Sequence, residues 1–327
     1  MIWLRFIFLA AIVVATSSVL AKYGDYIAIR TRLGGLLIGA ILMASATSLP
    51  EFLTAINSIK LGVPDLAGGD IFGSNMYNML LIAVVSLVGG SKHVLRASFN
   101  KHALTGVSAA LLIALASFFT VSKLNIMIGW VGLDSLVMIA VYIGALLLLR
   151  SNNQQHESIE EEIDEKVPSL GLALLIFGAC ILALVFVMPH LVDVAHDIAT
   201  ISGLGDGFIG VALVALMSSL PEMVAVIAAA RMGYVDMAIG NLFGSNMFNM
   251  FALGVVDIFD FQGSFFAQLS DDLVEVGFLG LLMVLIALMG NVARLPRRFK
   301  FLEIDAFVLI ITFILGMIYL AQRGIGV

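Results

Sequence analysis

The sequence predicts an all-α polytopic membrane protein, with about ten transmembrane helices arranged as two inverted five-helix repeats. Three observations carry that prediction: a charge-poor composition, ten apolar segments separated by short polar loops, and a dense internal repeat. Of 327 residues, 61% are hydrophobic and 12% charged, and the mean hydropathy is +1.08. Soluble domains are about 25% charged and cover their apolar interior with polar residues. This composition therefore makes lipid the solvent and excludes a cytosolic enzyme. The net charge of −6 comes with no basic block, so nucleic acid is not expected as a partner. The single Cys180 excludes an intramolecular disulfide and a thiolate metal cluster. Nothing in the sequence calls for an obligate protein partner.

The apolar segments fall at 2–21, 33–60, 66–90, 103–121, 126–149, 169–189, 207–230, 235–257, 273–293 and 301–322. Stretches near 20 residues suit helices, which satisfy their own backbone in lipid, and the alternation of a membrane β-barrel is absent. Val19-Leu20-Ala21 resembles a signal-peptidase site. The basic region before it is thin, however, and the repeat needs this first segment as a retained helix. Residues 150–168 form the one long polar stretch, an acidic linker between 1–149 and 169–327. Of the 17 Lys and Arg residues, only Arg5, Lys60, Lys123 and Arg323 fall on one side of this layout. By the positive-inside rule the other side is cytoplasmic, which puts both termini outside and the acidic linker inside.

Residues 38–79 and 209–250 align without a gap at an offset of 171, with 20 of 42 pairs identical. Thr47-Ser48-Leu49-Pro50-Glu51 matches Ser218-Ser219-Leu220-Pro221-Glu222, and Phe72-Gly73-Ser74-Asn75-Met76-Tyr77-Asn78-Met79 matches Phe243-Gly244-Ser245-Asn246-Met247-Phe248-Asn249-Met250. The second copy begins five spans after the first, so the halves enter the membrane from opposite sides. Inverted repeats of this kind mark secondary transporters, with the site near the midplane.

The repeated residues define a chemistry. Glu51 and Glu222 are carboxylates inside apolar spans, where a charge costs about 2.5–3.5 kcal/mol or more and signals function. Thr47, Ser48 and Glu51 share a helix face, as do Ser218, Ser219 and Glu222. Ser74 with Asn78 and Ser245 with Asn249 are again four apart. Pro50 and Pro221 remove the usual donors to the carbonyls of Ala46 and Met217. Carboxylate, hydroxyl, amide and carbonyl oxygens suit Ca²⁺, while softer ligands would be expected for Zn²⁺ or Cu. Two carboxylates are neutralised by one Ca²⁺ or by two Na⁺ or H⁺, the competition an antiporter needs.

These motifs resemble the α-repeats of the cation/calcium antiporter superfamily, and most of all its sodium/calcium exchanger branch in a compact prokaryotic form. The Gly-Asn-x-x-Glu core of the proton-coupled branch is absent. The resemblance implies exchange of Ca²⁺ for Na⁺ by alternating access in an inner membrane, with no cofactor. It implies Glu51 and Glu222 as central Ca²⁺ ligands shared with Na⁺. Thr47, Ser48, Ser74, Ser218, Ser219 and Ser245 would complete flanking Na⁺ sites. Carbonyls near Ala44 and Ala215 would add oxygen, and Asn78 and Asn249 would line the centre. Segments one and six would slide as a pair against the other eight. Some family members carry Asp where Asn249 stands, which leaves two carboxylates here rather than three. Asp70, whose repeat partner is Asn241, stands where Asn is common and is expected to serve structure.

The alternative within transport is a Ca²⁺/H⁺ or Mn²⁺ antiporter using the same Glu pair. An ion channel is disfavoured by the neutralisable, closed site. Gly203-Leu204-Gly205-Asp206 fits an intramembrane aspartyl protease pattern, but the preceding span has no second Asp. His93, His102, His156, His190 and His196 all lie near loops, which argues against a Ser–His hydrolase.

Overall fold

The computed structural model describes residues 2–31, 37–60, 62–88, 94–154, 167–201, 219–292, 298–299 and 302–324. Helix α1 spans Ile2–Thr31, unbroken through Val19-Leu20-Ala21. A π-helical stretch, Ile38–Met43, leads into α2, Ala44–Thr47, and after a break at Ser48 the chain continues as α3, Leu49–Lys60. Helices α4, Pro64–Val88, and α5, Val94–Ser122, complete the first motif and its neighbour. Helix α6 is Leu133–Gln154 and α7 is Leu170–Ile201. Then come α8, Leu220–Arg231, α9, Val235–Val256, the short α10, Phe265–Gln268, α11, Asp272–Val292, and α12, Ile304–Arg323.

Seven described helices are long and apolar enough to cross a membrane, or eight if the bent α2–α3 pair is one span. Helix α4 has 25 residues, the length of a span, and carries Asp70, Ser74, Asn75 and Asn78. The expected segment 207–230 is described only from residue 219. Several helices outrun their apolar windows, α1 by ten residues and α7 by twelve, because a helix needs apolar side chains only where lipid surrounds it. The expected start of segment five at residue 126 is corrected. Met127–Ile128 and Val131–Gly132 pair as an antiparallel hairpin, and Gly129 turns it at φ +68°. The helix runs on past 149 to Gln154, into the stretch expected to be linker.

Helix α9 sits at the centre, against the π-helical stretch, α2, α3, α4, α5, α6 and α8, while α11 packs on α4, α5 and α12. Helices α1 and α7 lie along each other at the side of this core. Arg30 near the end of α1 donates to the Pro168 carbonyl at 2.9 Å and to that of Val167, which ties it to the start of α7. Gly244 on α9 permits a close crossing: a Cβ there would stand 2.4 Å from the Ala40 carbonyl oxygen.

Candidate functional site

The site begins at the break between α2 and α3. Pro50 cannot donate to the carbonyl one turn back, yet fits the first turn of a new helix, where donors are unpaired anyway. The chain accordingly bends by 45° between Thr47 and Leu49. Ser48 takes φ −90° and ψ 6°. The π-helical stretch before it widens the coil, a form that recurs at functional sites. Glu51 follows in the first turn of α3, and Glu222 holds the same position in α8, after Pro221. Both carboxylates are buried, 1% and 2% exposed.

Hydrogen bonds join the two motif copies across the centre. The Ser48 hydroxyl donates to Glu222 Oε1 at 2.8 Å. Ser74 and Ser219 hydroxyls meet at 3.1 Å. Asn78 donates its amide to Asn246 Oδ1 at 3.0 Å, and Asn249 donates to Asn75 Oδ1 at 3.0 Å. Asn246 Nδ2 lies 3.5 Å from the Asn75 carbonyl. The Thr47 hydroxyl lies 3.0 Å from the Met43 carbonyl and 3.3 Å from Asn241 Oδ1, which also faces Ser245 at 3.5 Å. Glu51 and Glu222 lie within electrostatic reach of each other, and Ser219 lies beside Glu51.

This network leaves oxygen over. Both carboxylate oxygens of Glu51, Oε2 of Glu222, Oδ1 of Asn78 and Oδ1 of Asn249 are buried with no hydrogen-bond donor. Nδ2 of Asn75 and of Asn241 also lack a partner. A buried acceptor without a donor bears its full desolvation cost, about 1–3 kcal/mol and more if charged. Five such oxygens on the helices joined by the cross-repeat bonds, two carboxylates among them, form a donor set suited to a hard cation.

The structure thus gathers Thr47, Ser48, Glu51, Ser74, Asn78, Ser219, Glu222, Ser245 and Asn249, all buried. The carbonyl of Ala44 accepts the Ser48 N–H at 3.0 Å and lies 3.5 Å from the Thr47 hydroxyl. Ala215 and Ser218 lie outside the described residues, as does Gly203-Leu204-Gly205-Asp206. Three residues absent from the sequence-based set belong to the network: Asn75, Asn241 and Asn246. Asn75 and Asn246 occupy identical positions in the repeat. That identity was the available signal, since each orients the amide of an expected ligand.

Residues 1–150 and 172–322 match the family model described as sodium/calcium exchanger protein. An uncharacterized membrane protein of Methanocaldococcus jannaschii is 27% identical over 260 residues, 80% of each chain. The Ca²⁺/H⁺ antiporter ChaA of Bacillus subtilis is 27% identical over 252 residues, 72% of this chain and 70% of its own. A structure of the sodium-calcium exchanger NCX_Mj superposes with a TM-score of 0.73 at 22% identity, covering 98% of this chain and 100% of that one. At that identity the likeness is one of fold.

Proposed function

The chain belongs to the sodium/calcium exchanger family, a family of ion-exchanging membrane transporters; from that membership we propose that it exchanges Ca²⁺ for Na⁺ at a midplane site centred on Glu51 and Glu222. The observation that carries this reading is the set of buried carboxylate and amide oxygens left without donors. An empty site of this kind is costly, and either Ca²⁺ or monovalent cations relieve the cost. Loaded forms can therefore change access while the empty form resists it. The tied α1–α7 pair, packed beside the core, suits the moving element. The two motif copies belong to inverted halves, the first running through α6 to Gln154 and the second starting with α7, with the acidic linker between them. The lysine- and arginine-rich loops and that linker face the cytoplasm of a bacterial or archaeal inner membrane, and both termini face outward.

One observation favours a second coupling ion: a relative of similar identity is a Ca²⁺/H⁺ antiporter. The test is ⁴⁵Ca²⁺ flux from purified protein in liposomes, with Na⁺, K⁺ and H⁺ gradients imposed separately. The expected result is Ca²⁺ movement driven by the Na⁺ gradient alone. Movement driven only by the pH gradient overturns the Na⁺ coupling, and flux that needs no cation on the opposite side overturns antiport.

A further inference from the structure

The repeat is broken at one position of chemical consequence. Asn241 on α9 sits four residues before Ser245 and eight before Asn249; its counterpart Asp70 on α4 sits four before Ser74 and eight before Asn78. The amide is buried at 1% exposure, and its Oδ1 faces the hydroxyls of Thr47 and Ser245. These are two of the hydroxyls proposed above as cation ligands. At the matching place on α4 the chain carries a formal negative charge. Asp70 is only partly buried, although its Oδ2 is shielded, so this end of the network is less enclosed by protein than the Asn241 end. Its carboxylate is also within electrostatic reach of both Glu51 and Glu222.

We infer that Asp70 is a third carboxylate of the ion site, a positioning and selectivity residue that acts through space on cations held at Glu51 and Ser74 and makes the two ends of the site electrically unequal. This rests on the cation-site reading above and deepens it. With Asp70 the local carboxylate charge is −3 rather than −2. One Ca²⁺ then leaves a residual −1, and three monovalent ions leave none. This third charge stands on α4, eight residues or about two helical turns before Asn78.

A charge acting through space has a signature that a structural role lacks: its effect scales with the valence of the ion. The experiment is calorimetric titration of Ca²⁺, and separately of Na⁺, into the full-length protein in detergent, for wild type, Asp70→Asn, Asp70→Glu and Glu51→Gln. Each variant's melting temperature is checked alongside. Asp70→Asn should weaken Ca²⁺ binding about tenfold and Na⁺ binding about threefold, since the Coulomb energy lost with one charge doubles for a divalent ion. Asp70→Glu, which keeps the charge, should stay within about twofold of wild type. Equal Ca²⁺ and Na⁺ affinities in Asp70→Asn and wild type overturn the inference. So does a loss equal for both ions, or one that Asp70→Glu fails to restore. Glu51→Gln separates the two readings. If it binds Ca²⁺ like wild type, or wild type binds none, the site assignment itself falls. If it loses binding while Asp70→Asn does not, only the role of Asp70 falls.

Discussion

Among the described residues, two groups of buried acids are handled in opposite ways. Near the end of α9, Asp134, Asp257 and Asp260 are buried at 0%, 0% and 3% exposure. The backbone N–H groups of Gly132 and Phe265 each donate to Asp257 at 2.6 Å. Asp134 accepts from the Ser135 N–H at 2.9 Å and from the Ser264 hydroxyl. Asp260 accepts from the Gln262 N–H at 2.9 Å and the Gln268 amide at 2.6 Å. Glu51 and Glu222 are as deeply buried, yet three of their four oxygens have no donor. Burial alone therefore does not mark a functional acid. The first group pins the connection between α9 and α11 to the hairpin before α6, and the second is built to take a cation from elsewhere.

The comparison breaks most sharply at the glutamates. Glu51→Gln and Glu222→Gln should each cut Ca²⁺ exchange in liposomes about a hundredfold or more, since one site charge is worth about 3 kcal/mol and each 1.4 kcal/mol is tenfold. Both variants should still reach the membrane. Wild-type flux in either would remove the distinction between the groups. Asp257→Asn should do the reverse. It replaces an acceptor of two N–H bonds by a group with one acceptor oxygen, so thermal unfolding in detergent should register a loss of about 2–3 kcal/mol, with Ca²⁺ affinity unchanged.

Smaller effects sharpen the picture inside the site. Asn75→Leu removes the acceptor that holds the Asn249 amide, and should weaken Ca²⁺ binding about tenfold by freeing that amide to turn its N–H₂ toward the cation. Unchanged affinity, measured by titration, would mean that Asn249 is oriented by something else. Ser48→Ala should have the least effect. It frees Glu222 Oε1 of its one donor, and a shift of about fivefold in Ca²⁺ affinity is expected from a single hydrogen bond to a charged group.

Much of the site was legible in the sequence because the repeat repeats its chemistry. Glu51 with Glu222, Ser48 with Ser219 and Asn78 with Asn249 recur at one offset in spans where polar groups are costly. The helical break was legible too, from Pro50. Asn75 and Asn246 are not legible as site residues, because an amide in an apolar helix is ordinarily a helix–helix hydrogen bond; here it is that, and its partner is a candidate ligand. The hairpin at Met127–Gly132 is hidden in an apolar segment, because hydropathy does not register that Gly129 turns the chain. The satisfied acids at Asp134 and Asp257 were invisible for another reason: their donors are mostly backbone N–H groups, and those come from folding, not from composition.

The sequence by itself determined that this chain lives in lipid as a helical bundle. It also determined that its polar groups come in two matched sets, because a low-dielectric solvent makes each buried charge conspicuous and a repeat makes it countable. Only the tertiary structure decided which buried oxygens are left without donors. That depends on distances between residues up to 174 positions apart, as with Ser48 and Glu222, and on amide orientations that no spacing rule contains.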